Sequence, residues 1–190
     1  MNRNTEQFFE IYKSHINRRG ASEFLQWLEE ETDFFTAPAS TRYHLSEEGG
    51  LCEHSLNVFS RLRETIEPER DVLEESIAIC GLLHDVCKAN FYATDYRNAK
   101  NSETGVWERV PYYTVQDQFP FGHGEKSVFL IQRFMALSDE EALAIRWHMG
   151  AYDASAKVNE KVLSEVYQKY PLALYLHFAD QKATYFDEKK

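Results

Sequence analysis

The chain has 190 residues, of which 43% are hydrophobic and 27% are charged, which is typical of one globular domain. Its net charge of -10 disfavours non-specific binding to nucleic acid or to an anionic membrane, because both carry negative charge themselves. Eight glycines and five prolines are too few for the frequent turns of an all-β sandwich, so the composition favours long helices.

Apolar residues recur at helical spacing along most of the chain, which predicts an all-α fold. The predicted helices cover residues 5–18, 22–34, 51–66, Pro68 to about Lys88, 124–135, a segment that opens at Ser138, 158–169 and 171–186. Ser138 and Glu141 have the spacing of a capping box. We therefore expect a single domain over residues 1–190, with N-terminal helices at about 5–34 and a core at about 43–186.

Residues 91–118 differ from the rest of the chain because they are rich in aromatic and β-branched side chains, with Asn98 and Gly105 between them. This pattern predicts a short β-hairpin or an ordered loop within the helical fold. Its aromatic residues would either stack against a base or form an ordinary hairpin face, and the second interpretation is favoured. These aromatic residues are Tyr92, Tyr96, Trp107, Tyr112 and Tyr113.

The three cysteines, Cys52, Cys80 and Cys87, are an odd number without the paired spacing of a zinc site. We interpret them as reduced thiols that serve as small buried residues on helices. The first residues carry no apolar signal-peptide region, and no apolar run reaches the length of a membrane span. The sequence therefore predicts a cytoplasmic protein with no membrane partner, and it leaves the oligomeric state open.

His84 and Asp85 are adjacent at the end of an apolar helix, within IAICGLLHDVCK. Because an unpaired carboxylate is costly to bury, Asp85 needs a cation, a metal ion or strong hydrogen-bond donors. His54 lies on the preceding predicted helix, in an antiparallel position, and Asp180 lies in an apolar stretch of the last one. Imidazoles and carboxylates from three helices would form one metal site that keeps positions open for water.

This order of residues resembles the H…HD…D pattern of the HD-domain superfamily of metal-dependent phosphohydrolases. The resemblance is carried by GGLCEHSLNV at 49–58, LLHDVCK at 82–88 and HFADQKATY at 177–185. It implies an HD-domain helical bundle that holds divalent ions and hydrolyses a phosphate ester with an activated water. It also implies catalytic roles for Asp85 and Lys88, with Lys88 contacting a phosphate oxygen. The other interpretation of Lys88 is a cation that complements the dipole at a helix end.

Two further histidines lie between the HD pair and Asp180, namely His123 in FGHGEKS and His148 in IRWHMG. Binuclear members of the superfamily, including HD-GYP phosphodiesterases, have two histidines in this interval. The resemblance implies that both complete a second site and that Asp85 bridges two ions; otherwise they surround a single ion. One or two divalent ions, drawn from Mn, Mg, Fe, Co, Ni or Zn, are therefore expected. Residues 38–54 also resemble the HD domains of bacterial 3′-5′ exoribonucleases, whereas the GYP signature is absent.

The expected substrate is a small phosphorylated compound such as a nucleotide, and the acidic charge disfavours nucleic acid. His44, in the loop 36–50, and Arg146 are candidate substrate contacts, although each would also fit a surface or ion-pair role. Residues 89–121 are the other candidate wall of the substrate site. Two alternatives stay open. An HD-type diiron oxygenase, similar to inositol oxygenase, has the same order of ligands, and a non-catalytic HD module would sense a nucleotide without hydrolysing it.

Overall fold

The computed structural model describes residues 2–66, 72–158 and 160–188, which form a mostly helical fold with one antiparallel β-hairpin. The helices are α1 (Arg3–His15), α2 (Ala21–Glu30), α3 (Gly50–Thr65), α4 (Glu74–Leu83), α5 (His123–Gln132), α6 (Asp139–Trp147), α7 (Ala154–Val158), α8 (Glu160–Lys169) and α9 (Pro171–Lys182). The hairpin strands are β1 (Tyr92–Lys100) and β2 (Trp107–Val115). Short 3₁₀ turns cover Val86–Lys88 and Gly150–Tyr152, and a π-helical turn covers Ala183–Asp187. Within these residues, no helix combines the length and the apolar composition that crossing a membrane would require.

The prediction of an all-α fold with a hairpin inside residues 91–118 is confirmed, but helix ends differ from the predicted ones. α1 ends at His15 because Ile16 has an extended backbone, with φ -105° and ψ 104°. α2 follows Gly20, whose φ is 89° and whose Cβ, if it had one, would lie 1.9 Å from the carbonyl oxygen of Phe134. Tertiary contacts therefore set boundaries that periodicity does not reveal. The predicted helix start at Pro68 lies outside the described residues.

The hairpin pairs Tyr92 with Val115 and Lys100 with Trp107 in an antiparallel register. Its outer aromatic residues lie on the surface, where Trp107 remains 69% exposed. The guanidinium of Arg109 lies 4.6 Å from the ring centre of Tyr96, a cation–π contact between the strands. These contacts fit the interpretation of this segment as an ordinary hairpin face.

The close packing of α3 against α4 depends on Gly81. A Cβ at Gly81 would lie 2.5 Å from the Cα of Phe59, so a larger residue would push the two helices apart. Buried apolar side chains on both helices, including Leu62 and Ile79, join the main hydrophobic cluster. α3 also packs against α9. This arrangement brings the polar residues of α3, α9 and the end of α4 to one place.

The capping box predicted at the start of α6 is confirmed. Ser138 Oγ accepts a hydrogen bond from the backbone N–H of Glu141 at 3.2 Å, and Glu141 Oε2 accepts one from the N–H of Ser138 at 2.8 Å. We expect Ser138→Ala to lower the free energy of unfolding by about 1 kcal/mol, because it leaves a helix N–H without its partner. Urea denaturation measures this change. Ser22→Ala, at an exposed serine inside α2, is the control and should not lower stability.

Candidate metal centre

The six side chains predicted as metal ligands lie together where α3, α4, α5, α6 and α9 meet. They are His54 in α3, His84 and Asp85 directly after α4, His123 at the start of α5, His148 directly after α6 and Asp180 in α9. Five are buried, whereas the side chain of His123 is 30% exposed. The buried apolar residues of α4 and α9 carry His84, Asp85 and Asp180 into the core.

Two of the buried histidines have the same orientation. The Nδ1–H of His84 donates to the carbonyl of Gly81 at 3.0 Å, and the Nδ1–H of His148 donates to the carbonyl of Ile145 at 2.7 Å. A carbonyl only accepts, so each ring carries its proton on Nδ1 when it is neutral. Each ring therefore turns an Nε2 lone pair towards the cluster, which is how metal-ligating histidines are usually held.

A carboxylate that the sequence did not reveal fixes the ring of His54. The Nδ1 of His54 lies 3.0 Å and 3.1 Å from the two carboxylate oxygens of Glu188, and Asn57 donates to the same carboxylate at 3.0 Å. His54 therefore directs its Nε2 inward, 3.3 Å from the Nε2 of His84. Two lone pairs at this distance would repel each other, so the contact needs a proton or a cation.

One oxygen of Asp85 faces the α3 side of the cluster. Its Oδ2 lies 2.7 Å from Lys88 Nζ, 3.5 Å from His54 Nε2 and 3.6 Å from His84 Nε2. Asp180 Oδ1 lies 3.3 Å from the same nitrogen of His54. Burial alone would raise the pKa of Asp85, but Lys88 and His84 hold it well below its usual range. Asp85 is therefore a buried carboxylate that stays ionised.

The other oxygen of Asp85 faces the α5 and α6 side. Its Oδ1 lies 2.8 Å from His123 Nε2 and 3.4 Å from His148 Nε2. Neither contact has the alignment of a hydrogen bond, so Asp85 Oδ1 and His148 Nε2 are buried without a hydrogen-bond partner among the described residues. Burial opposes protonation of His123, but Cys87 and Asp85 outweigh it and raise its pKa to about 10. Buried polar atoms of this kind could be satisfied by an ion or a water molecule.

The pKa values of two neighbouring rings are shifted in opposite directions. Burial lowers the pKa of His84 to about 3, so that ring is neutral near pH 7. Burial also opposes protonation of His54, but hydrogen bonds to Asp180 and Glu188 outweigh it and raise its pKa to about 10. Without a metal ion, a proton on His54 therefore supplies part of the positive charge that the buried carboxylates need.

The buried histidine, aspartate and cysteine residues form overlapping groups that could hold a metal ion. In each group, one possible ligand atom per residue lies within 4.8 Å of the others. The groups are His54, His84 and Asp180; His84, Asp85 and His148; Asp85, Cys87 and His123; and His44, His54 and Glu188. Asp85 belongs to two of these groups, one with His84 and His148 and the other with Cys87 and His123, so it is the residue that connects them.

The cluster is reached through a cavity of about 690 Å³. Its walls are formed by Tyr43, His44, His54, Asp85, Lys88, Met149, Tyr152, Asp180, Gln181, Thr184, Tyr185 and Glu188. A cavity of about 290 Å³ on the other side is lined by Cys87, Lys88 and His123, among others. Lys88 lines both cavities, and its ammonium group is directed at Asp85. The larger cavity is within the size range of small-molecule sites.

The two other predicted substrate contacts differ in position. His44 lines the larger cavity, with its ring centre 5.0 Å from that of His54, so its predicted role stays a prediction. Arg146 is not among the described residues lining that cavity. Its guanidinium lies 2.5 Å from Glu125 Oε1 and 3.0 Å from Asp153 Oδ2. The structure therefore supports the ion-pair interpretation of Arg146 over a substrate contact.

Several described side chains near the cluster were not predicted individually as parts of a site, and Glu188, Cys87 and Tyr152 are examples. Glu188 lies in a polar segment whose sequence pattern does not distinguish it from a surface residue. Cys87 is buried, as predicted, but its Sγ also lies 3.4 Å from His123 Nδ1. Tyr152, 62% exposed, stands at the wall of the larger cavity. In the sequence, the feature that could have pointed to a role for Cys87 in the site is its position two residues after Asp85.

Comparison with models of known protein families gives no match, and neither the curated proteins nor the solved structures match this chain. A function must therefore be argued from the geometry of its own side chains. The feature that bears most directly on function is the position of Asp85, whose two carboxylate oxygens face different pairs of imidazoles.

Proposed function

We propose that the protein is a metal-dependent phosphohydrolase, of the HD type that its sequence resembles, acting on a nucleotide or a related phosphate ester. The observation that supports this proposal is the position of Asp85 between four imidazoles, with a lysine beside it and a cavity above it. Imidazole and carboxylate together suit Zn²⁺, Fe²⁺, Co²⁺ and Mn²⁺. A buried carboxylate oxygen and a ring nitrogen without hydrogen-bond partners, among the residues described, fit a metal ion as the missing partner.

The side chains divide into two sets. His54, His84 and Asp180, which form one close group, would hold one ion. His123 and His148, whose Nε2 atoms lie 2.8 Å and 3.4 Å from Asp85 Oδ1, would hold a second, and Asp85 would be shared. Bound divalent ions lower the pKa of a water molecule and neutralise phosphoryl oxygens. The chain's own residues fix the ligands, because carbonyl and carboxylate acceptors hold the Nδ1 atoms of the buried rings.

We infer that Lys88 contacts the substrate. Its side chain is 14% exposed, lines both cavities and ends 2.7 Å from Asp85 Oδ2. Burial opposes its charge, but Asp85 outweighs this effect and keeps the pKa of Lys88 above its usual range. The ammonium group is therefore charged at neutral pH, and it would exchange part of its contact with Asp85 for a non-bridging phosphoryl oxygen.

The proposed activity is tested with protein purified without chelator, its metal content measured, and Mn²⁺, Mg²⁺, Co²⁺ or Fe²⁺ added. We expect phosphate or nucleoside release from at least one member of a panel of nucleotides and other phosphate mono- and diesters. No turnover across that panel by protein shown to carry metal would overturn the proposal in favour of a sensing module. Iron in a mixed-valence state together with oxygen consumption would instead identify an oxygenase.

Metal binding should depend on pH in a direction set by His54 and His123. Both have a pKa of about 10 in the metal-free chain and are protonated at pH 7, whereas a ligating imidazole must be neutral. Binding therefore releases protons, and affinity should rise with pH between 6 and 9. His84, with a pKa of about 3, is neutral throughout and contributes no proton. Calorimetry in buffers of different ionisation enthalpy measures the release; an affinity independent of pH would contradict this expectation.

Glu188 should support the ion held by His54. Glu188→Ala removes the acceptor that orients Nδ1 of His54, and we expect metal affinity to fall by about 10- to 100-fold. Glu188→Gln should lose less metal affinity, because its amide oxygen can still accept a hydrogen bond from Nδ1 of His54. The control is Asp187→Ala, since Asp187 pairs with Arg61 at the surface. Equal affinities in Glu188→Ala and Asp187→Ala, measured by competition with a chelating dye, would exclude the role.

A further inference from the structure

Cys87 is held against His123 by its own backbone. It lies in the 3₁₀ turn that follows Asp85, and its N–H donates to Ser127 Oγ on α5 at 3.1 Å. Its side chain is buried, with Sγ 3.4 Å from Nδ1 and 3.9 Å from Nε2 of His123. The same cavity of about 290 Å³ is lined by Cys87 and His123. The thiol therefore faces the α5 side of the cluster rather than the hydrophobic core alone.

The spacing of the atoms around Cys87 suits a metal ion. Asp85, Cys87 and His123 each offer one ligand atom, and these atoms lie within 4.8 Å of one another. A tetrahedral ion with bonds of about 2.0 to 2.3 Å separates its ligands by about 3.3 to 3.8 Å. The distance of 3.9 Å from Sγ to His123 Nε2 and that of 2.8 Å from His123 Nε2 to Asp85 Oδ1 bracket this range.

Buried atoms without partners provide independent support for a ligand at this position. Asp85 Oδ1 and His148 Nε2 have no hydrogen-bond partner within the described parts of the chain, and they lie 3.4 Å apart. The side chains of Asp85 and His148 are only 3% and 1% exposed, so bulk water does not satisfy them. Asp85 Oδ1 also lies 2.8 Å from Nε2 of His123, the ring that Cys87 contacts.

We propose that Cys87 is a ligand of the second metal ion, together with Asp85 and His123. This inference rests on the proposed function and extends it, because a sulfur ligand makes the second site selective. Thiolate favours Zn²⁺, Co²⁺ or Fe²⁺ over Mg²⁺ or Mn²⁺. On binding, the S–H bond of Cys87 breaks, an S–metal bond forms and the proton passes to the buffer, with no change of oxidation state.

The competing role for Cys87 is to orient His123 through a hydrogen bond with Nδ1. The two roles differ in one property: only a ligand shares electrons with the ion. A thiolate bound to Co²⁺ produces a charge-transfer absorption in the near ultraviolet, whereas a thiol that merely touches a ligating imidazole does not. Cobalt absorption therefore separates a ligand from a positioning residue.

The test is a titration of the whole metal-free chain with Co²⁺, followed by its absorption. We expect the charge-transfer band to develop as the second ion binds, and to be missing in Cys87→Ala and Cys87→Ser. Cys80→Ala is the matched control, since Cys80 is a fully buried thiol of α4 outside all four metal-binding groups. It should keep the band. Cys87→Ser should also lower Zn²⁺ affinity at the second site by at least about 100-fold, the upper range for partners that only orient a ligand.

The outcomes separate this inference from the proposed function. A wild-type chain that binds two Co²⁺ ions without the band, or a Cys87→Ala chain that keeps it, would overturn the role of Cys87 even if hydrolysis is observed. A band that depends on Cys87, in a chain that hydrolyses no phosphate ester, would support the site and overturn the activity. Circular dichroism of each variant shows whether a lost band reflects a lost ligand or a lost fold.

Discussion

Asp85→Asn is expected to abolish both metal retention and hydrolysis. The substitution keeps the size of the side chain but removes the charge that faces four imidazoles and Lys88. Stabilisation of charge by a metal ion is worth several kcal/mol, which corresponds to a loss of at least about 10³-fold in kcat/KM. Elemental analysis of the purified variant and its rate with the best substrate measure the two effects.

The matched control for Asp85→Asn is Asp153→Asn. Asp153 is also a buried carboxylate, but its partner is Arg146, outside the metal centre. This variant should lose some stability and keep its metal and its activity. If Asp85→Asn retained two ions per chain, or hydrolysed substrate at the wild-type rate, the reaction would take place elsewhere in the protein.

Lys88→Met is expected to leave the ions in place and to lower kcat/KM by about 10²- to 10³-fold, the usual effect of removing one group that stabilises transition-state charge. The reason is that Lys88 is a charged group reaching both cavities, whereas the ligand atoms belong to other residues. Lys182→Met is the control, because Lys182 bonds Thr65 and is not one of the metal-binding residues.

Two results would contradict this role for Lys88. Loss of metal from Lys88→Met would show that the lysine serves only to neutralise Asp85, with which it pairs. Unchanged kcat/KM with metal retained would show that Lys88 contacts no phosphate in the transition state.

The cluster of candidate ligands was largely predictable, because some of its residues carry local signals and His123 and His148 follow from the resemblance. An Asp next to a His at the inner end of an apolar helix must find a cation, and the same reasoning applies to Asp180 within α9. Glu188 carries no such signal, since its partner His54 is 134 residues away in sequence and only the tertiary fold brings them together. The sequence predicts that Cys87 is buried, which the structure confirms, but the contact of Cys87 with His123 depends on how α5 packs.

In the fold, too, some features could be predicted from local sequence patterns, whereas others depend on tertiary contacts. The hairpin and the capping box of α6 follow from short patterns, and both are present. The start of α2 does not follow from such a pattern, because it depends on the close approach of Gly20 to the backbone of Phe134. The sequence likewise leaves Arg146 free either to meet a phosphate or to form an ion pair, and its pairing with Glu125 and Asp153 is a result of the tertiary fold.

The most direct test of the metal centre is the position of the ions in crystals of the metal-loaded protein, located by anomalous scattering. We predict two peaks on opposite sides of Asp85, one bonded to His54 and His84 and the other to His123 and His148, at about 2.0 to 2.3 Å from the ligand atoms. Peaks bound to other residues, or His54, His84 and Asp85 free of metal in protein soaked with excess Zn²⁺ or Mn²⁺, would contradict the account.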